Sequence, residues 1–216
     1  MDPYSKGYMD ALVDAQSHID GYFFLEESLS PALLDAMQKV CPITPNQDGA
    51  ETPAYVYAHY FLGRRATALA RIDLLNKLSE NFDVTVYTHA DCKDILPNAI
   101  YGGIIDYYDT MPTVFQHSKI NLNITLKTIQ TGIPLRAWDI LGCGGFLLTN
   151  FQQELCDLLI PGEDFVYYES PADAVEKAAY FLSHNRERQE IAHNALEKIA
   201  ASHTFHHRVQ SMFEII

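Results

Sequence analysis

Arg136 and Asp139 stand three residues apart in the stretch GIPLRAWDILGCGGFLLTN, residues 132–150, where an apolar helix gives way to an apolar strand. A plain core needs neither charge. A guanidinium and a carboxylate at one helix start suit a ligand that carries both an anion and hydroxyl groups. Gly132 and Pro134 open this helix, and a helix N-terminus offers unpaired N–H groups and partial positive charge, which fits a diphosphate. Asp139, about one turn further in, does not favour phosphate; a carboxylate there is better placed to accept hydrogen bonds from a ribose diol. The stretch LGRRAT, residues 62–67, offers a second candidate set, with Gly63, Arg64 and Arg65 ahead of another helix.

Each feature also has a purely structural counterpart. Arg64 or Arg65 alone reads as a surface arginine, and Lys119 and Asn121 as ordinary strand-end residues. Gly142, Gly144 and Gly145 serve to end the helix and let it pack against the next strand. Arg136 and Asp139 have the spacing of a helix-surface ion pair, worth about a few tenths of a kcal/mol.

The elements that must hold these residues follow from periodicity. In YSKGYMDALVDAQSHIDGYF the positions Tyr4, Tyr8, Leu12, Ala15 and Ile19 recur every three or four residues and mark one helix face. SLSPALLDAMQKV starts with Ser30 as N-cap and Pro31 at the first helical position. CPITPNQDGAETP breaks structure with prolines and a glycine, so a domain boundary is expected there, with a helical segment over 1–50 and a second domain over 51–216.

From Tyr55 short apolar runs alternate with helical stretches. The runs are YVYAHYF (55–61), VTVYTH (84–89), GIIDYY (103–108), KINLNI (119–124), GFLLTN (145–150) and FVYYES (165–170). Their continuous apolar character fits strands covered by helices on both faces. The pattern predicts an α/β fold: a Rossmann-like, doubly wound parallel sheet of about six strands with an N-terminal helical segment. If the strand order is 3-2-1-4-5-6, ligand binds where that order reverses, between the loop holding Arg64 and Arg65 and the loop TLKTIQTGIP.

Composition narrows the function classes. The chain of 216 residues has 15 basic against 28 acidic side chains, a net charge of −13, which argues against general nucleic-acid or anionic-membrane partners. Residues 1–50 and 151–216 carry most of the acidic excess, leaving the middle nearly neutral and least repellent to an anionic ligand. No apolar run is long enough for a membrane span, the N-terminus lacks a signal-peptide pattern, and the expected location is cytoplasmic. Cys41, Cys92, Cys143 and Cys156 are scattered without a C-x-x-C pair, as free thiols in a reducing compartment are. His203 and His207 in HTFHH have helical i, i+4 spacing, but no carboxylate or cysteine is patterned with them, so no metal site is assigned.

Several motifs lie in a fixed order: SKINLN (118–123), RAWDILGCGG (136–145), GEDFVYY (162–168), YFLSHNRERQEIA (180–192) and HTFHHR (203–208). With their spacing they resemble the C-terminal half of GT-B glycosyltransferases, closest to the group related to the spore-maturation protein CgeB. The resemblance covers roughly residues 55–210 and is dense over 118–208. It implies a domain that binds the nucleotide part of a sugar-nucleotide donor, with that nucleotide-sugar as substrate, no cofactor and no catalytic metal. Under it Asp139 matches the second acidic position of an E-x7-E element and contacts ribose, while Thr131 occupies the first position without an acid. Arg136, Gly132, Gly144 and Gly145 match the phosphate-proximal turn, and Lys119 matches the family lysine. A GT-B enzyme has a second such domain that binds acceptor, and residues 1–54 do not hold one. The expectation is a donor-binding half, inactive in transfer without an acceptor domain. The alternative is a noncatalytic nucleotide-binding or scaffolding module that keeps the fold. The nucleoside base is expected to meet the region 87–108, with Tyr87 or Tyr107 as candidates.

Overall fold

A computed structural model describes residues 1–44, 49 and 51–214. Of the expected boundary segment, residues 45–48 and 50 lie outside the described residues. The chain divides into two compact units, one made of Met1–Asp73 with Thr125–Gln130, the other of Leu74–Ile124 with Thr131–Ile216.

The first unit is helical. Helix α1 (Pro3–Ser17) is capped by Asp2, whose carboxylate accepts the Ser5 N–H at 2.9 Å. Helix α2 (Pro31–Val40) starts as its sequence predicts, with Ser30 as N-cap and Pro31 at the first position. The buried face of α1 is offset from the aromatic stripe: Met9, Val13 and Gln16 face inward, while Tyr4 is 83% exposed. The fully buried Gln16 amide donates to the carbonyl of Tyr22 at 2.9 Å and accepts the Phe24 N–H at 3.0 Å, fastening the connection between the two helices. Around it pack Phe23, Leu25, Leu29, Leu33, Met37, Tyr57 and Leu62.

YVYAHYF is not a strand. Thr52 caps a short helix, α3 (Pro53–Val56), which runs into a π-helical segment (Tyr57–Leu62) and then into α4 (Gly63–Ser79). The β-branched and aromatic composition misleads here, because Ala58, Leu62 and Ala66 are buried at four-residue spacing, with Tyr57 beside them, and need a helical face. The segment Thr125–Gln130 also belongs to this unit: Lys127 donates its backbone N–H to Thr67 Oγ1 at 2.9 Å and pairs with Asp20 at 2.7 Å.

The second unit is α/β. Strands β1 (Thr85–Tyr87) and β2 (Ile100–Gly103) form one parallel pair. Strands β3 (Asn121–Asn123), β4 (Leu147–Asn150) and β5 (Val166–Tyr168) form a separate parallel sheet in the order 3-4-5. The helices of this unit are α5 (Met111–His117), α6 (Leu135–Gly142), α7 (Gln153–Leu158), α8 (Pro171–Ser183), α9 (Asn185–Ser202) and α10 (Phe205–Glu214). Alternate residues of β4 feed two cores. Leu148 packs with Phe146, Val166, Ala174 and Phe181, and Leu147 with Ile140, Leu141, Leu155 and Phe165. A sheet covered on both faces explains the unbroken apolar runs. The expected sheet of six strands is therefore corrected: the described residues form five strands in two small sheets, and among them the reversed order 3-2-1-4-5-6 does not occur. GIIDYY contributes only its first residue to β2, and the rest leaves the sheet.

Candidate functional site

The β3–α6–β4 crossover places Thr131, Gly132, Arg136 and Asp139 at the start of α6. Gly132 has φ +92°, a left-handed conformation that favours glycine, although a Cβ there would meet open space. Pro134 holds the N-cap position without a side-chain capping bond, so no side chain occupies the first N–H groups of α6. Leu135 at the first turn is 71% exposed, which leaves this helix end open to solvent. The Gly132 N–H points to an anion already: it donates to the carboxylate of Glu154 in the first turn of α7.

Arg136 and Asp139 form no ion pair among the described residues. The Arg136 guanidinium lies over the Phe115 ring at 5.5 Å and directs one N–H to the Met111 sulfur at 3.3 Å. A sulfur is a weak acceptor, so most of this fork keeps its capacity for an oxyanion. Asp139 accepts a hydrogen bond from the Tyr107 hydroxyl at 2.5 Å. That bond is the main reason the phenol titrates above the ordinary tyrosine value; burial adds to it, then the charge of Asp139. The Cys143 thiol is likewise pushed up, first by burial and then by Asp139, so it is held as the poorly nucleophilic thiol.

Gly144 and Gly145 stand at the other end of α6. Gly144 has φ +73° and donates to Leu141, and Gly145 donates to Ile140 at 2.9 Å, which together make a Schellman ending. A Cβ on Gly145 would lie 2.7 Å from Asn121 Nδ2 and 2.8 Å from the Phe115 carbonyl. Both glycines thus end the helix and admit close packing. The helix has eight residues, about 12 Å of axis, and its C-terminal end carries the negative pole. The geometry does not bring these glycines to a phosphate held by Gly132 and Arg136.

Arg64 and Arg65 belong to the first unit and lie inside a helix, not in a loop after a strand. Arg65 pairs with Asp10 at 2.8 Å, and Arg64 lies over Tyr60 at 5.6 Å. The strand expected before them is a helix, yet the two stretches LGRRAT and TLKTIQ do meet within this unit: the Lys127 N–H donates to Thr67 Oγ1 at 2.9 Å, and a Cβ on Gly63 would clash with Thr128 Cγ2. Lys119 is exposed ahead of β3. His203 and His207 are engaged by Arg208 at 2.6 Å and Thr204 at 2.7 Å, and among the described residues no group of His, Cys, Asp and Glu is arranged to hold a metal. No helix among the described residues is long and apolar enough to cross a membrane.

Two groups escaped the sequence reading. Glu154 is one. The other is a buried polar row at the carboxyl ends of β3 and β4: Asn123, whose amide donates to Thr149 Oγ1 at 3.0 Å, with Thr149 and Asn150. Ligands of parallel sheets sit at these strand ends, and polar residues closing the apolar runs KINLNI and GFLLTN were the available signal.

Residues 64–214 match the family model described as "Glycosyl transferase-like". No curated protein and no solved structure matches the chain.

Proposed function

The chain belongs to the glycosyl transferase-like family, and from that premise we propose that its α/β unit binds the nucleotide part of a nucleoside-diphosphate sugar, as the donor domain of a GT-B enzyme of the CgeB-like group. The observation that carries this reading is the start of α6. There a helix end without a side-chain cap, a guanidinium set against a ring and a thioether, and a carboxylate one turn on offer phosphate and ribose their preferred partners. In this reading Gly132 and Arg136 receive the diphosphate, with Lys119 and Thr131 flanking it, and Asp139 receives the ribose hydroxyls. No side chain is assigned to bond-breaking. The acceptor and its base belong to a further domain, and no metal or cofactor takes part.

A melting panel with uridine, adenosine, guanosine and thymidine diphosphates and their sugar conjugates tests the reading, because a ligand of the native state raises its stability by mass action. At 100 times its Kd a ligand adds about 2.7 kcal/mol. A rise in Tm with at least one diphosphate is expected. No shift with any of them, in wild type or in variants of the side chains that line the start of α6, overturns the donor reading, and sugar transfer by this chain alone overturns the assignment of the acceptor to another domain.

A further inference from the structure

We propose that the free chain keeps its ligand groups occupied by its own side chains, Glu154 standing in for a phosphate oxygen and Tyr107 for a ribose hydroxyl, so that these two residues set how tightly a nucleotide binds. The inference rests on the donor reading and goes beyond it.

Two contacts of different chemistry carry it. At Gly132 an anionic oxygen sits on a backbone N–H. At Asp139 a hydroxyl sits on a carboxylate. These are the two exchanges a nucleoside diphosphate makes, and they fall on the flank and body of one helix. The occupying side chains come from separate places: Glu154 from the first turn of α7, Tyr107 from the turn after β2. Asp139 is fixed, since α6 is anchored by the buried Ala137, Ile140 and Leu141, and Gly132 lies two residues ahead of that helix's N-cap. The occupying groups are not part of a core. Tyr107 is 41% exposed, beside the open ring of Tyr108, on a turn held by Asp106 accepting the N–H groups of Tyr108 and Asp109 at 2.8 and 2.7 Å.

A phosphate oxygen and the Glu154 carboxylate cannot share one N–H, and their like charges repel. A ribose hydroxyl likewise competes with the phenol for Asp139. Removing either side chain therefore leaves the ligand's partner free. The sign is diagnostic, because deleting a residue that helps hold a ligand weakens binding.

The experiment is calorimetric titration of the wild-type chain, Glu154→Ala and Tyr107→Phe with uridine, adenosine, guanosine and thymidine diphosphates. Each variant is expected to bind several-fold to about tenfold more tightly than wild type, one net hydrogen bond's worth. Glu154→Ala should show this for the diphosphate and not for the nucleoside alone. Tyr107→Phe should show it for the ribonucleotide more than for its 2′-deoxy form. Binding by the variants where wild type shows none also supports the proposal. Wild-type binding with equal or weaker binding by a variant overturns that residue's role while the donor reading stands. No binding by any of the three proteins overturns both.

Discussion

Gly145→Ala separates packing from ligand binding at the glycine seam. An added methyl would lie 2.7 Å from Asn121 Nδ2, 2.8 Å from the Phe115 carbonyl oxygen and 3.1 Å from the Ile140 carbonyl oxygen. Two of these neighbours are backbone atoms, at α5 and α6, and cannot swing aside. The third belongs to a buried amide that donates to Phe115 at 2.9 Å. Relief requires α5 and α6 to part or the Asn121 bond to break. Overpacking of this kind costs about 1–3 kcal/mol, and a lost hydrogen bond adds about 0.5–1.5 kcal/mol. A loss of about 2–4 kcal/mol lowers the Tm of a chain this size by roughly 5–15 °C, read by circular dichroism. Gly142→Ala is the control: its methyl would find only Ile199 Cγ2, at 3.9 Å, inside the last turn of α6. There alanine is better than glycine by about 0.5–1 kcal/mol, so that variant should melt at or above wild type. Equal melting of Gly145→Ala and wild type would refute the packing argument. Weakened nucleotide binding with an unchanged Tm would return Gly145 to the ligand.

Arg136→Ala should lower nucleoside-diphosphate affinity by about 1.5–3 kcal/mol, tenfold or more, with an unchanged melt; unchanged affinity by calorimetry removes the residue from the site. Wild type should prefer a ribonucleoside diphosphate over its 2′-deoxy analogue, and Asp139→Asn should shrink that preference; equal affinities in both proteins defeat the ribose assignment. His203 lies 5.4 Å from Trp138 and is held below the ordinary histidine pKa by burial, then by the charges of Arg208 and His207. Its folded pKa is depressed, so the unfolded chain binds the proton first. Its stabilising share is complete above about pH 6.5 and is lost as pH falls through the folded value. Fluorescence of Trp138, the only tryptophan, should therefore change with a midpoint below 6.5, and His203→Asn should abolish that transition.

Much of both units was legible because local signals and tertiary demand agreed. Ser30 with Pro31 starts a helix wherever the chain goes next, and VTVYTH, KINLNI, GFLLTN and FVYYES each contain a strand. YVYAHYF failed because seven residues of β-favouring composition were weighed without Thr52 and Pro53 before them or Leu62 and Ala66 after, which together call for a helix. With that run helical, Arg64 and Arg65 stand within α4 and not in a loop after a strand. Arg136 and Asp139 needed no such frame; a glycine, a proline and two charges within eight residues announce a helix start by themselves. Tyr107 was legible only as a candidate for the base, not as a partner of Asp139, and Glu154 was not legible at all. Each reaches its partner across 32 and 22 residues respectively, a distance over which only the fold decides who meets whom. The glycines mark the same limit more sharply. Gly142, Gly144 and Gly145 are identical letters within four positions, yet one has room for a methyl, one needs φ +73°, and one has backbone oxygens where its side chain would be. Only the first depends on nothing outside its own helix. The other two depend on how α6 ends and on where Asn121 and Phe115 lie, and those positions are products of the packed sheet.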